Sequence, residues 1–139
     1  MGYDLYPSNK ELEEFHFGAF SWSFLLEKIG LIIGTGRGVE PGSYSYLPDK
    51  YGRDPNSNDG FRVTAKQSKA LAMAAQGLAS NEKFIQKEWD KMPKEEKERK
   101  EKANQDFDKL YRTPIRKDWI ERVEKFAVWA YKSRGFSIR

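Results

Sequence analysis

The stretch TPIRKDWIERVEKFAVWAYKSRGF, residues 113–136, decides the fold class. Ile115, Trp119, Val123, Phe126, Ala127 and Ala130 recur at three- and four-residue intervals, the period of one helix face, while charged residues fill most positions between them. A stripe of this kind is stable only against another apolar surface, so the chain must fold around it. Thr113 suits an N-cap with Pro114 at the first helical position; Gly135 suits the stop, leaving Phe136 to fold back over the core.

A second helix is written upstream. In RVTAKQ the Thr64 hydroxyl can accept from the amide of Gln67 while the Gln67 side chain returns to Thr64, a capping box. The alanine-rich body that follows, AKQSKALAMAAQGLA, allows a neighbouring element to approach closely, and Ser80 or Asn81 offers a break before EKFIQKEWDKM. After Pro93, expected at a first helical position, the segment 93–111 alternates Lys and Glu with almost nothing apolar before Ala103 and Phe107; this reads as an exposed helix laced by pairs four residues apart. Towards the N-terminus, Ser21 can cap a helix through Ile29 with Trp22, Leu25, Leu26 and Ile29 on one face. The opening GYDLY alternates and stops at Pro7, which suits a short strand paired near the long loop or the C-terminus.

Between these elements, residues 31–62 are rich in Gly and Pro, with Ser and Asn interspersed, and show no period, so they are expected to form a long irregular loop. The fold class that results is mainly α with a minor β element: three to four helices, a short N-terminal strand and the loop 31–62. At 139 residues one domain, 1–139, is the expectation.

Composition narrows the chemistry. The absence of Cys removes disulfides and thiolate sites and fits a reducing compartment, the cytoplasm. The longest apolar run, IGLIIG, is too short to span a bilayer. Residues 112–139 carry 8 basic and 3 acidic side chains, which makes nucleic acid a conceivable but less favoured partner. His16 is the single histidine, so a histidine pair for zinc is excluded. Asp54, Asn56 and Asn58 alternate as in a calcium loop, but Asp59 stands where glycine is needed and Ala65 where a bidentate acid is needed; no metal or other cofactor is expected. In SNDGF, residues 57–61, Gly60 is expected at positive φ in a tight turn leading to the Thr64 cap.

MGYDLY at the start, FHFGAFSW leading into a helix, SNDGFRVT leading into a second and FAVWAYKSRGF near the end resemble a set of small uncharacterised bacterial and bacteriophage proteins. That set shares Met-Gly-x-Asp-aliphatic-Tyr, an aromatic run with tryptophan, Asn-Asp-Gly, and a terminal helix ending Ser-Gly-Gly-Phe; Arg134 replaces the first closing glycine here. The resemblance implies a phage or mobile-element accessory gene and brings no activity with it.

Two function classes are in contention. The first is a non-catalytic binder that holds a host protein or a small polar ligand such as a nucleotide through residues 34–62. GTGRG offers successive amides beside Arg37, while Tyr44, Tyr46, Tyr51, Arg53 and Asn58 offer stacking faces and planar donors, with Trp22 and His16 as neighbours. The second is a small hydrolase or transferase in which Asp4, His16 and Asp59 supply acid–base chemistry. In structural terms His16, between Phe15 and Phe17, reads as a half-buried hydrogen-bonding side chain, and the loop tyrosines as anchors onto the domain.

Overall fold

The computed structural model describes residues 2–29, 60–106 and 115–139. Four strands form one antiparallel sheet in the order β2-β1-β4-β3, with β1 at Gly2–Pro7, β2 at Phe15–Gly18, β3 at Phe61–Val63 and β4 at Phe136–Ile138. The helices are α1 at Ala19–Ile29, α2 at Ala65–Asp90, α3 at Lys94–Asp106 and α4 at Lys117–Lys132. The protein is mainly α with a minor β element, as its sequence implies. The first strand pairs with the last, Leu5 opposite Ile138 and Pro7 opposite Phe136, so the two ends of the described chain lie side by side. Because strand side chains alternate, Leu5, Phe15, Phe17, Phe61, Val63, Phe136 and Ile138 share the inner face, and all seven are buried.

Helix α4 lies on that face. Phe126 is fully buried, its ring centroid 5.3 Å from Phe17, 5.8 Å from Phe15, 5.9 Å from Trp22 and 6.1 Å from Phe136, all in edge-on arrangements that suit the ring quadrupole. One aromatic ring thus ties two strands, β2 and β4, and helix α1 to α4. Helix α2 packs on α4 through Leu71, Ala72, Ala75 and Ala79, the small residues permitting close approach. Where α2 meets the end of α4, a buried polar knot is fully bonded: the Ser68 hydroxyl lies 2.6 Å from the Ala130 carbonyl and 2.7 Å from the Ser133 hydroxyl. Asn9 closes that helix end, its side-chain amide donating to the Lys132 carbonyl and its backbone amide to that of Ser133.

The chain then reverses through Arg134 at φ 60 and Gly135 at φ 94. A Cβ on Gly135 would stand 2.7 Å from the Val63 carbonyl oxygen and 3.0 Å from the Ala65 amide nitrogen, so both conformation and space require glycine there.

The capping box at Thr64 is present in full: the Gln67 amide donates to Thr64 Oγ1 at 3.2 Å, and the Thr64 amide to Gln67 Oε1 at 3.0 Å. Gly60 is at φ 91, as expected of the turn, but Phe61 and Arg62 belong to β3 rather than to an irregular loop. Other expectations need correcting. No break occurs at Ser80 or Asn81: both are exposed, Ala79 and Glu82 on either side continue the buried side of α2, and the helix runs on to Asp90. Helix α1 starts at Ala19, directly out of β2, rather than after a Ser21 cap.

Helix α4 starts at Lys117, since Arg116 is extended and Asp118 accepts from the Trp119 amide at 3.0 Å; Thr113 and Pro114 lie outside the described residues. Pro93 precedes α3 and accepts from the Lys97 amide, one position earlier than expected. Helix α3 carries the expected i,i+4 pairs, Lys100 with Glu96 at 3.5 Å and Lys94 with Glu98 at 3.9 Å.

Candidate functional site

The same alternation that buries one face of the sheet gathers polar side chains on the other. Pairing places them in two short rows. In the first, His16 on β2 stands opposite Asp4 on β1, and Asp4 exchanges both backbone hydrogen bonds with Arg139, at 2.7 and 2.8 Å. In the second, Tyr6 on β1 stands opposite Ser137 on β4, which stands opposite Arg62 on β3. The rows are two residues apart along the strands, about 7 Å.

Within this array the side chains organise one another. His16 Nδ1 lies 2.8 Å from Asp4 Oδ1, and the two side chains are 61% and 49% exposed, so the pair is formed in contact with solvent. The imidazole occupies space that only glycine leaves open: a Cβ on Gly2 would be 2.4 Å from His16 Cε1 and 2.8 Å from Nε2. Arg122 of α4 holds the strand from below. Its guanidinium donates from Nε at 3.1 Å, and also from Nη2, to the His16 carbonyl oxygen, and stacks 4.1 Å from the centroid of the Phe15 ring. On the other flank, the Arg139 guanidinium lies 5.3 Å from the Tyr6 ring centroid, and Arg62 donates to the Ser8 hydroxyl at 3.3 Å. The result is a surface offering two planar guanidiniums, a phenol and an imidazole held by a carboxylate, with Ser137 buried between Tyr6 and Arg62.

Two of the sequence-derived candidates, Asp4 and His16, therefore meet. His16 is a hydrogen-bonding residue as expected, but exposed rather than half-buried, since β2 turns it away from the core between Phe15 and Phe17. Trp22 takes a different place: at 1% exposure it is a core ring, 5.5 Å from Phe17 and 6.3 Å from Tyr3, not a surface contact. Arg37, Tyr44, Tyr46, Tyr51, Arg53, Asn58 and Asp59 lie outside the described residues. Gly60, which follows Asn58 and Asp59 in the chain, donates its amide to the Ile138 carbonyl at 2.8 Å, next to Arg139.

Tyr6, Arg62, Ser137 and Arg139 were not singled out by sequence reasoning. The signal was present in FRV and FSIR, where polar residues alternate with apolar ones, but each run is too short to stand out from its surroundings. Among the described residues no cluster of three or more His, Cys, Asp or Glu is fit to hold a metal, and no helix is long and apolar enough to cross a membrane. No family model, no curated protein and no solved structure matches this chain.

Proposed function

We propose that the protein is a non-catalytic binding protein for a small anionic ligand, of the size and charge of a nucleotide, held on the outer face of the sheet. The observation that carries this reading is the two-row array, with Arg62 and Arg139 supplying planar donors suited to phosphate or carboxylate oxygens. Tyr6 supplies an aromatic face beside them, and His16 a ring nitrogen whose partner is already fixed by Asp4. The sequence-derived candidates Arg37, Tyr44, Tyr46, Tyr51, Arg53 and Asn58, outside the described residues, belong to the same proposal as further ligand contacts on the strength of their side-chain chemistry. The setting that fits is the bacterial cytoplasm and an accessory gene of a phage or mobile element, on the strength of the absent cysteine and the sequence resemblance.

The test is a titration of the full chain with inorganic phosphate, nucleoside monophosphates and the matching nucleosides, followed by backbone amide shifts. Saturable shifts at Asp4, His16, Arg62 and Arg139 with the phosphorylated compounds support the reading. The double variant Arg62→Gln with Arg139→Gln should weaken binding by about tenfold or more with the melting temperature unchanged. Shifts absent from the sheet, or indifferent to that variant, overturn it.

A second reading rests on one contact. A carboxylate 2.8 Å from Nδ1 fixes an imidazole for general-base work, the arrangement found in acid–base dyads. Turnover of a phosphoester or carboxylic ester that vanishes in both His16→Gln and Asp4→Asn would replace binding with catalysis, with Asp59 as the third group to examine.

A further inference from the structure

Independently of the sheet face, we infer that the groove between α2 and α4 is a docking site for an acidic amphipathic helix of a partner protein. The groove has a volume of about 580 Å³ and is lined chiefly by Ala72, Met73, Gly77, Ala127, Val128 and Tyr131. Ala72 and Ala127 are buried and form its floor, whereas Met73, Val128 and Tyr131 are 72%, 55% and 58% exposed and form its walls. Three large apolar side chains left in water around one concavity are a feature of interaction surfaces, and helices dock in such grooves through apolar residues three and four apart.

Gly77 strengthens the case. Glycine inside a helix costs about 1 kcal/mol relative to alanine. Close packing does not demand it here, since a Cβ on Gly77 would meet nothing within 4 Å. What its bare backbone provides is an open floor on the outside of α2, where an incoming helix can approach closely. Seven residues on, Phe84 is 62% exposed and extends the apolar line along the same stripe of α2.

The rim selects the occupant. Lys66 and Lys69 stand seven and four residues before Met73; Lys125 and Lys132 stand three before and four after Val128, on the same helix faces. Lys69 reaches across the groove to lie 5.8 Å from the Tyr131 ring centroid. Two acids share a face with Val128, Glu121 and Glu124, and Glu124 is paired with Lys83 at 2.7 Å. Positive charge therefore predominates around an apolar floor. A second copy would bring like charges together. Nucleic acid would match the charge but not the aliphatic floor, because phosphates need no methyl-lined groove. A helix with Glu and Asp flanking an apolar stripe satisfies both.

The probe is a synthetic peptide with Leu or Phe at i, i+3, i+4 and i+7 and Glu elsewhere, titrated into the full chain and compared with a scrambled peptide of identical composition. Saturable binding is expected with methyl shifts at Ala72, Met73 and Val128, weakened several-fold by moderate salt. Met73→Glu and, separately, Gly77→Leu, which fills the groove from an open position, should each weaken binding by about tenfold or more, with melting unchanged in the first and not lowered in the second. No saturable binding up to millimolar peptide, equal binding of the scramble, or indifference to both variants overturns the assignment. So does concentration-dependent dimerisation abolished by Met73→Glu, which makes the occupant a second copy. Duplex DNA or anionic vesicles that bind with the same variant dependence, where the peptide does not, overturn it equally.

Discussion

On the inner face of the sheet Leu5, Phe17, Phe136 and Ile138 are fully buried, whereas one residue away along the same strands Asp4, His16 and Arg139 reach solvent. The inner set is fixed by contacts from several elements at once, so each side chain there has one acceptable shape and no freedom to take up another task. The outer set is held mainly by pairs of its own members, Asp4 with His16 and Tyr6 with Arg139, at distances that a ligand can modify without disturbing the fold. Stability thus rests on one set of alternate residues of the sheet, and the proposed recognition on the other.

The largest expected effects lie on the inner face and its closing turn. Phe126→Ala removes a ring that touches Phe15, Phe17, Trp22 and Phe136, and should cost about 3–5 kcal/mol in chemical denaturation. A loss below about 1 kcal/mol would mean that the inner face is not the core. Gly135→Ala should cost about 1–3 kcal/mol, because φ 94 disfavours a Cβ and the Val63 carbonyl stands in its way. The melting temperature of that variant measures it, and an unchanged value would show that the reversal into β4 relaxes freely.

The same contrast explains what could be read in advance. Long periodic elements announce themselves, so α4 with its apolar stripe and α2 with its Thr64 capping box were legible in the chain, as was β1 up to Pro7. Strands β2, β3 and β4 were not, since runs of 3–4 residues give an alternation no different from chance and acquire strand geometry only through pairing distant in sequence. Propensity misled at Ser80 and Asn81, where tertiary packing of the buried side carries the helix through. For the site, a lone histidine and a nearby carboxylate could be named, but their opposition depends on register, which no local feature of GYDLY or FHFG specifies. Arg62 and Arg139 join them through two further pairings, so the array became visible only with the sheet assembled.

Arg134 offers a smaller test of the inner-face rule at its boundary. Its φ of 60 places a side chain in the left-handed region that favours glycine, at the reversal between α4 and β4. Arg134→Gly should therefore raise stability by about 0.5–1 kcal/mol, the relieved strain being partly offset by the greater freedom of glycine in the unfolded chain. A destabilisation would show that the exposed guanidinium makes a compensating contact.

The smallest effect is expected from the pair that the proposed function places at the centre of the outer face. Asp4 and His16 are 49% and 61% exposed, and solvent screens most of what a 2.8 Å contact would contribute in a dry interior. A double-mutant cycle with Asp4→Asn and His16→Gln in urea should give a coupling free energy of about 0.5 kcal/mol or less. A coupling near 2 kcal/mol would mean that the pair is a clamp between β1 and β2 and that the outer face is built for stability like the inner one. A weak coupling combined with loss of ligand-induced shifts in either single variant would separate the two roles, since a group that contributes little to folding but much to binding is held in place for the ligand.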